Sequence, residues 1–395
     1  MASRGPLSGL LVADFSRVLA GPYCTMLLAD LGADVIKVES AAGDDTRHWV
    51  PPQRGDNGTY YLAINRNKRS IVLDLADADD LDIAHRLSRR ADVMIQNFKP
   101  GGLAKFGLDY EAVRSRRPDI IYCSISGFGD GKGAALPGYD LLAQAVSGLM
   151  SLTGSPDGPP YRAGISVFDV MTGLHSTIGI LAALHHRERT GRGQHVQTNL
   201  LSTALSTLVN QTSAYVAGDV VPQRMGNAHL SLFPYEPLPT GDGELIVIAG
   251  NDAQFRRLAG ALGIPEVADD PRFATVAARN KHREQLRPIL LERLATRSAQ
   301  EWFETLTAAG IPCGPINDVR GGVELATDLG LDPVVMAGDV PTVRNPLSMS
   351  ETPPGYDLAP PRLDEHGEQI RRWLGVDARH PHEQPETGEP PVPSA

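Results

Sequence analysis

The chain has 395 residues, 42% of them hydrophobic, and carries 37 Lys and Arg against 47 Asp and Glu, a formal charge of −10. That length allows two or three domains with a large buried core. The acidic balance lacks the basic footprint of a nucleic-acid binder, so an anionic ligand has to be held by local groups. Cys24, Cys123 and Cys313 are far apart and form no C-x-x-C, which reads as plain thiols in a reducing compartment. The N-terminal apolar run is too short for a secretory signal and no apolar stretch reaches membrane-spanning length, so the expected location is cytoplasmic, without a membrane partner.

In chain order, short β-rich runs alternate with helical patterns: LLVADFS (10–16), a helix from about Pro22 to Leu31, DVIKVES (34–40), IVLDL (71–75), a helix over DADDLDIAHRLSRRA, DVMIQN (92–97), a helix near DYEAVRSRRP, and DIIYCSIS (119–126). Strands separated by crossover helices predict a parallel, open doubly wound (Rossmann-like) α/β sheet. From about Tyr139 to Leu208 the pattern turns helical, interrupted by the strand HVQTNL; Gly191 and Gly193 stand where a helix-stop glycine belongs. Beyond Pro222, LFPYEPLPTGDGELIVIAGN reads as a hairpin with a Gly-Asp-Gly turn, followed by three helical patterns. The expected division is a large α/β domain over 1–205, a linker over 206–224, a small α+β domain over 225–320, a return to the large domain over 321–376, and a disordered tail over 377–395.

Several motifs fail on inspection. GFGDGKG (127–133) follows a strand, but Lys132 is followed by Gly133 where a phosphate-binding loop needs Ser or Thr, and no helix opens there. The turn RVLAGP (17–22) lacks G-x-G-x-x-G, which disfavours a nicotinamide or other nucleotide cofactor bound in the usual manner. His185-His186 and His380-x-His382 have no companions at metal-ligand spacing, so no metal is expected. No G-x-S-x-G elbow marks a hydrolase serine.

One acid stands out. Asp169 lies near the start of the nearly all-apolar stretch GISVFDVMTGLHSTIGILAALHH. Ser166-x-x-Asp169 matches a loose capping box, so Asp169 reads as a helix cap. The same placement also suits a nucleophile: a carboxylate at a helix start among Val167, Phe168 and Met171 is poorly hydrated and can attack an activated acyl carbon.

RVLAGP (17–22), LGADVIKVE (31–39), NKRSIVLDL (67–75), ADVMIQNFKPG (91–101), the aspartate of GISVFDVMTG, TGRGQHV (190–196) and GIPCGPIND (310–318), in this order and spacing, resemble family III CoA-transferases, the family of formyl-CoA and carnitine CoA-transferases. The likeness spans about residues 5–375 and implies an acyl-CoA:carboxylate CoA-transferase with coenzyme A as substrate and no metal. It implies that Asp169 is the nucleophile and passes through an aspartyl-CoA thioester. Gly250 and Asn251 match the family's glycine-rich loop, which binds developing oxyanions; as a plain turn the same loop has Asn251 or Asp252 as N-cap. For CoA the resemblance points to Val18, Leu19, Ala20, Leu73, Leu75, Asn97, Phe98, Lys105 and Phe106. Ser40 stands where formyl-CoA transferase has an arginine, and Arg47, Lys68 or Arg69 are the candidates to supply that charge.

Gly138-Tyr139-Asp140 replaces the G-H-D that related acyl-CoA racemases use for α-proton exchange, which favours transfer over racemisation. RMGNAHLSLFPYEPLPTGDG (224–243) resembles the dicarboxylate-using branch typified by succinate–hydroxymethylglutarate CoA-transferase. Arg47, Arg224, Asn227 and His229 are candidates for a second carboxylate, with succinyl-CoA as the expected donor. The family also implies two ring-like chains interlocked as a homodimer, and long linkers around 205–230 and 315–345 are compatible with that. A racemase of the same superfamily and a non-catalytic acyl-CoA-binding protein are the competing readings.

Overall fold

The computed structural model describes residues 5–376; His380, His382 and the tail expected over 377–395 lie outside the described residues. These residues form two compact units. The first takes the chain up to 147, 164–212 and the part from 332 on; the second takes 148–163 and 213–331. Residues 148–163 thus leave the large unit, and the second unit runs beyond the 225–320 read from sequence at both ends.

In the first unit, strands β1 (Leu11–Asp14), β2 (Asp34–Glu39), β3 (Lys68–Val72), β4 (Val93–Gln96), β5 (Ile121–Ser126) and β6 (Gln194–Asn199) form one sheet in the order β3-β2-β1-β4-β5-β6. Every pairing is parallel. The order reverses between β1 and β4, so the crevice beyond the carboxyl ends of those strands is where a doubly wound sheet binds ligands.

Helices α1 (Ala20–Asp30), α2 (Ala78–Arg90), α3 (Tyr110–Arg116), α4 (Asp140–Val146), α5 (Val167–Thr190) and α6 (Leu200–Thr207) belong to this unit, as does a helix over Gly367–Val376. Alternate strand residues point to opposite faces. Leu11, Ala13, Ile36, Ile71, Met94 and Tyr122 meet Ala84 and Leu87 of α2, Val113 of α3, and Ile370 and Leu374. Val12, Val35, Val93, Ile95, Ile121 and Cys123 meet Ala20, Cys24 and Leu28 of α1, and Ile180, Ala183 and Leu184 of α5. Both faces are covered, which is why the strands read as near-continuous apolar runs.

β3 departs from the sequence reading by starting at Lys68 rather than Ile71, because two of its polar residues are buried with partners. Lys68 reaches Asp14, and Ser70 donates to Glu39. Helix α5 requires another correction. It is 24 residues long, and an 18-residue stretch of it has a mean hydropathy of 1.5, long and apolar enough to cross a membrane by length and composition. Its buried side chains pack on the sheet and on α1, which makes it a core helix of this unit. It stops at Gly191, φ +68°, as the sequence predicts.

The second unit holds β7 (Tyr235–Pro239) and β8 (Glu244–Ile248), an antiparallel hairpin through Gly241–Gly243, with the short β9 (Cys313–Gly314) beside β8. Helices α7 (Asp252–Ala261), α8 (Arg283–Leu294) and α9 (Ala299–Ala308) bury Phe255, Leu258, Leu286, Leu290, Trp302 and Leu306 against it. Ser298 and Glu301 close a capping box at α9.

α1 and α5 approach closely where Gly173 faces Ala20. A Cβ on Gly173 would lie 2.7 Å from the Ala20 carbonyl oxygen and 3.1 Å from Cδ1 of Tyr23. Gly173→Ala gains helix propensity of about 1 kcal/mol, yet it overpacks a backbone contact, which costs about 1–3 kcal/mol. A net loss of about 1 kcal/mol and a fall in Tm of a few degrees are expected in thermal unfolding.

Candidate active site

Asp169 sits in the first turn of α5, whose N-cap residue Ser166 makes no side-chain capping bond. The cap comes instead from Asp140, the first residue of α4. Its Oδ1 accepts from the backbone N–H of Phe168 at 2.8 Å and of Asp169 at 3.1 Å. Gln144, one turn further along α4, donates to Asp140 Oδ2 and to the carbonyl of Ile165 at 3.1 Å. Asp140 is buried, and with Gln144 it brackets the start of α5.

The two sequence readings of Asp169 are thereby separated. The free N–H groups of the helix start are satisfied by another carboxylate, and among the described residues no donor is hydrogen-bonded to the Asp169 side chain. Burial first, and then the charge of Asp140, push the Asp169 carboxyl from its ordinary 3.8 up to about 7. Tyr60 stands edge-on to Trp49 at 5.2 Å between ring centroids. Burial and the charges of Asp169, Asp140 and Asp44 raise the Tyr60 phenol above its usual value.

Asp169 opens on a small cleft of about 100 Å³ walled by Ala20, Asn97 to Pro100, Ile125 to Gly127, Leu136 to Gly138 and Leu200. A second cleft of about 470 Å³ shares Phe98, Lys99, Pro100, Ile125 and Ser126 with it and extends over Gln96, Ser124 and His195. Both lie at the carboxyl ends of β4, β5 and β6, next to the reversal in strand order. Gly127 and Gly138 touch in this wall: a Cβ on Gly127 would lie 2.5 Å from the Cα of Gly138, which holds the segment leading into α4 against the end of β5.

The other wall is the strained turn after β1. Val18 has φ +69°, a left-handed conformation that is unfavourable for a β-branched residue. It is held by two side chains. The Val18 N–H donates to Asp44 at 3.2 Å, and the Asn97 amide accepts from the Arg17 N–H at 3.0 Å while donating to the Arg17 carbonyl at 2.7 Å. Asp44 is in turn paired with buried Lys37 at 2.8 Å. The strained turn is thus fixed firmly, and Ala20, which follows it, lines the Asp169 cleft.

Leu19 and Ala20 follow this turn; Leu19 is the buried N-cap residue of α1, and Ala20 lines the Asp169 cleft. Phe98 lines both clefts. Lys105 is exposed, with its ammonium 4.6 Å from the centroid of the Phe106 ring. Tyr139 is exposed, immediately before α4.

Other expectations need correction. Leu73 is buried in the core and Leu75 packs against it, because both lie beyond the end of β3, where the chain turns towards α2. Asn97 stands in the wall of the Asp169 cleft, and its amide braces the Arg17 backbone there. Arg47 is buried, bidentate to Glu39 at 2.8 Å on both arms, 2.6 Å from the Tyr61 hydroxyl and stacked over that ring. It supplies no charge to a ligand. Lys68 is buried against Asp14 and the Pro22 carbonyl, and Arg69 pairs with Asp34, so none of the three candidates replaces the arginine missing at Ser40. Lys99, which the sequence reading passed over, lines both clefts, and none of the described residues pairs with it.

In the second unit, Asn251 is the N-cap of α7, accepting from the Gln254 N–H at 2.9 Å, and the Gly250 N–H donates to Gln254 Oε1 at 2.8 Å. Arg224 reaches the carbonyls of Ser155 at 3.3 Å and Ser151 at 3.5 Å. His229 accepts from the Ser231 N–H through Nδ1, and Asn227 is exposed in a turn. Among the described residues, no group of three His, Cys, Asp or Glu side chains is placed to hold a metal ion.

A model of CoA-transferase family III matches residues 7–367. The chain belongs to CoA-transferase family III. A succinate–glutarate CoA-transferase of Agrobacterium fabrum is 46% identical over 381 residues, covering 92% of this chain and 94% of that protein. A succinyl-CoA:glutarate CoA-transferase of Mus musculus is 40% identical over 381 residues, 93% of this chain and 86% of that protein. Among solved structures, a CAIB/BAIF family protein from Brucella suis is similar with a TM-score of 0.84 at 43% identity, covering 94% of this chain and 100% of that one. The protein is an acyl-CoA:carboxylate CoA-transferase.

The raised Asp169 carboxyl makes a stability prediction for this transferase. Its folded-state value, about 7, lies above the unfolded 3.8, so its contribution is intact below about pH 4 and is lost as pH rises through 7. Asp169→Asn escapes that loss. Denaturation at pH 5 and pH 8 should show the Asn variant gaining on wild type as pH rises, by roughly 2–4 kcal/mol in all.

Proposed function

We propose that this transferase moves CoA from succinyl-CoA to a dicarboxylic acid such as glutarate, with Asp169 as the nucleophile. The observation that carries the reading is the unbonded, poorly hydrated Asp169 carboxylate at the mouth of the cleft beyond the sheet's switch point. The relatives named for succinate and glutarate support the substrate pair.

A carboxylate oxygen of Asp169 attacks the thioester carbonyl; the carbon–sulfur bond breaks, leaving an aspartyl–acyl anhydride and CoA thiolate. The thiolate attacks the aspartyl carbonyl of that anhydride, expelling the donor acid as its carboxylate and leaving an aspartyl-CoA thioester. The acceptor carboxylate attacks this thioester and expels the thiolate. Attack of the thiolate on the acceptor's carbonyl then releases the new acyl-CoA and restores Asp169. Only the ionised carboxylate can start the sequence, and no proton or external energy source enters the balance.

Each attack builds an oxyanion that calls for donors. The loop at Gly250 and Asn251 is the proposed source, in which case the Gly250 N–H exchanges Gln254 for the oxyanion. Phe98 covers an apolar part of CoA, Lys99 offers a cation in place of the arginine absent at Ser40, and Arg224, Asn227 and His229 are the proposed contacts for a second carboxylate. We further propose an interlocked homodimer in the cytoplasm. The exposed Val209, Val216 and Val319, at 68%, 76% and 87% of their full exposure, are apolar surface that a partner chain would cover.

The test is a transfer assay with succinyl-CoA and a panel of dicarboxylates across about pH 5 to 9. Transfer to glutarate is expected, with kcat/KM rising as pH passes about 7 and a loss of at least about a thousandfold in Asp169→Asn. Exchange of the substrate α-proton in deuterated water without any acceptor would instead indicate a racemase. Undiminished transfer by the Asn variant would remove Asp169 from the chemistry.

A further inference from the structure

We propose that Asp140 is a positioning residue that sets the ionisation of Asp169, by occupying from a neighbouring helix the N–H groups at the start of α5 that would otherwise serve the nucleophile. The geometry is specific. An acid in the first turn of a helix ordinarily gains from the unsatisfied N–H groups there and from the helix dipole, and both favour its charged form. Here Asp140 Oδ1 accepts from the N–H of Phe168 and of Asp169 itself. The ordinary cap, the Ser166 hydroxyl, makes no bond to the helix. Asp169 is left with the proximity of a second carboxylate and without the donors of its own helix.

Two effects of Asp140 therefore add. Its negative charge repels the ionised form of Asp169, and its hydrogen bonds withdraw the donors that would stabilise that form. Both raise the pH at which Asp169 ionises, in the same direction as burial. A carboxylate that holds its proton more tightly is also a stronger nucleophile once ionised, while the aspartyl carbonyl remains open to attack by a thiolate.

Other ionisable groups face this turn. Tyr60 is coupled to both aspartates, Lys99 lines the cleft, Tyr23 of α1 lies beside Gly173, Tyr139 precedes α4, and Asp44 acts on Tyr60. α6, also packed on α5, carries none. Of these, Asp140 alone is hydrogen-bonded to the α5 backbone.

The proposal deepens the reading of Asp169 as nucleophile, and only its kinetic arm rests on that reading. The full chain would be compared as wild type, Asp140→Asn and Asp140→Ala. Asparagine keeps an oxygen for the two N–H groups and removes the charge; alanine removes both. Two quantities would be followed against pH: the change in stability that Asp169→Asn causes in each background, and the rate at which succinyl-CoA modifies Asp169. The expected order of midpoints is wild type above Asp140→Asn above Asp140→Ala, the Asn variant falling by about one pH unit. If the Ala variant fails to fold, the Asn comparison still decides. Midpoints unchanged in a folded Asp140→Asn, or an activity loss equal at every pH, would overturn the proposal and leave Asp140 a plain cap. A midpoint that shifts in the stability measurement while no modification of Asp169 ever forms would sustain the inference and remove the nucleophile reading.

Discussion

The site depends on one hydrogen-bonded arrangement: a carboxylate on α4 caps α5, so that a second carboxylate, inside the first turn of α5, is left without donors. Helix starts are ordinarily places where acids are stabilised. By giving that stabilisation to Asp140, the fold creates a half-buried acid that has lost water without gaining a partner. Such a group costs stability at neutral pH. Everything around it serves to hold that state: the Gly173–Ala20 contact that brings α1 against α5, the Gly127–Gly138 contact that brings the α4 segment to the end of β5, and Gln144 reaching back to Ile165.

Under the neighbouring wall lies a network that behaves in the opposite way. Asp14 with Lys68, Asp44 with Lys37 and Glu39 with Arg47 are buried pairs in which every charge has a partner. Burial works against the charge of Asp14, but Lys68 and Lys37 outweigh it and hold its carboxyl below the usual range. For Lys68 burial wins, and its ammonium drops to about 8. Pairs of this kind contribute little net stability, but they lose several kcal/mol if one partner is removed. Here their use is geometric: Asp44 and Asn97 keep the Val18 turn in a conformation its side chain resists, and that turn delivers Ala20 to the cleft.

Much of the sheet was legible in the sequence because its strands are covered on both faces and read as apolar runs. Where buried polar residues carry a strand, as at Lys68 and Ser70, the boundary slipped by three residues, since a lysine in sequence looks like surface. The same reason led Arg47 to be read as a candidate ligand contact: a cation in sequence looks available until its buried partners Glu39 and Tyr61 are seen. Asp169 was legible as an acid at an apolar helix start, but not as an unpaired one. Its cap comes from 29 positions away in sequence, and Asp140 gave no local signal beyond helix-start polarity. The length of α5 misled in another way, because hydroxyls and one acid among apolar residues hid a run of spanning length.

The most direct measurement is the intact mass of the protein after brief mixing with succinyl-CoA, followed by mapping of the peptide 163–187. A CoA adduct on Asp169, present in wild type and absent in Asp169→Asn, is the expected result. Transfer of CoA to glutarate without any adduct on that peptide, or with an adduct on another carboxylate, would contradict the assignment of Asp169 as the group that carries CoA.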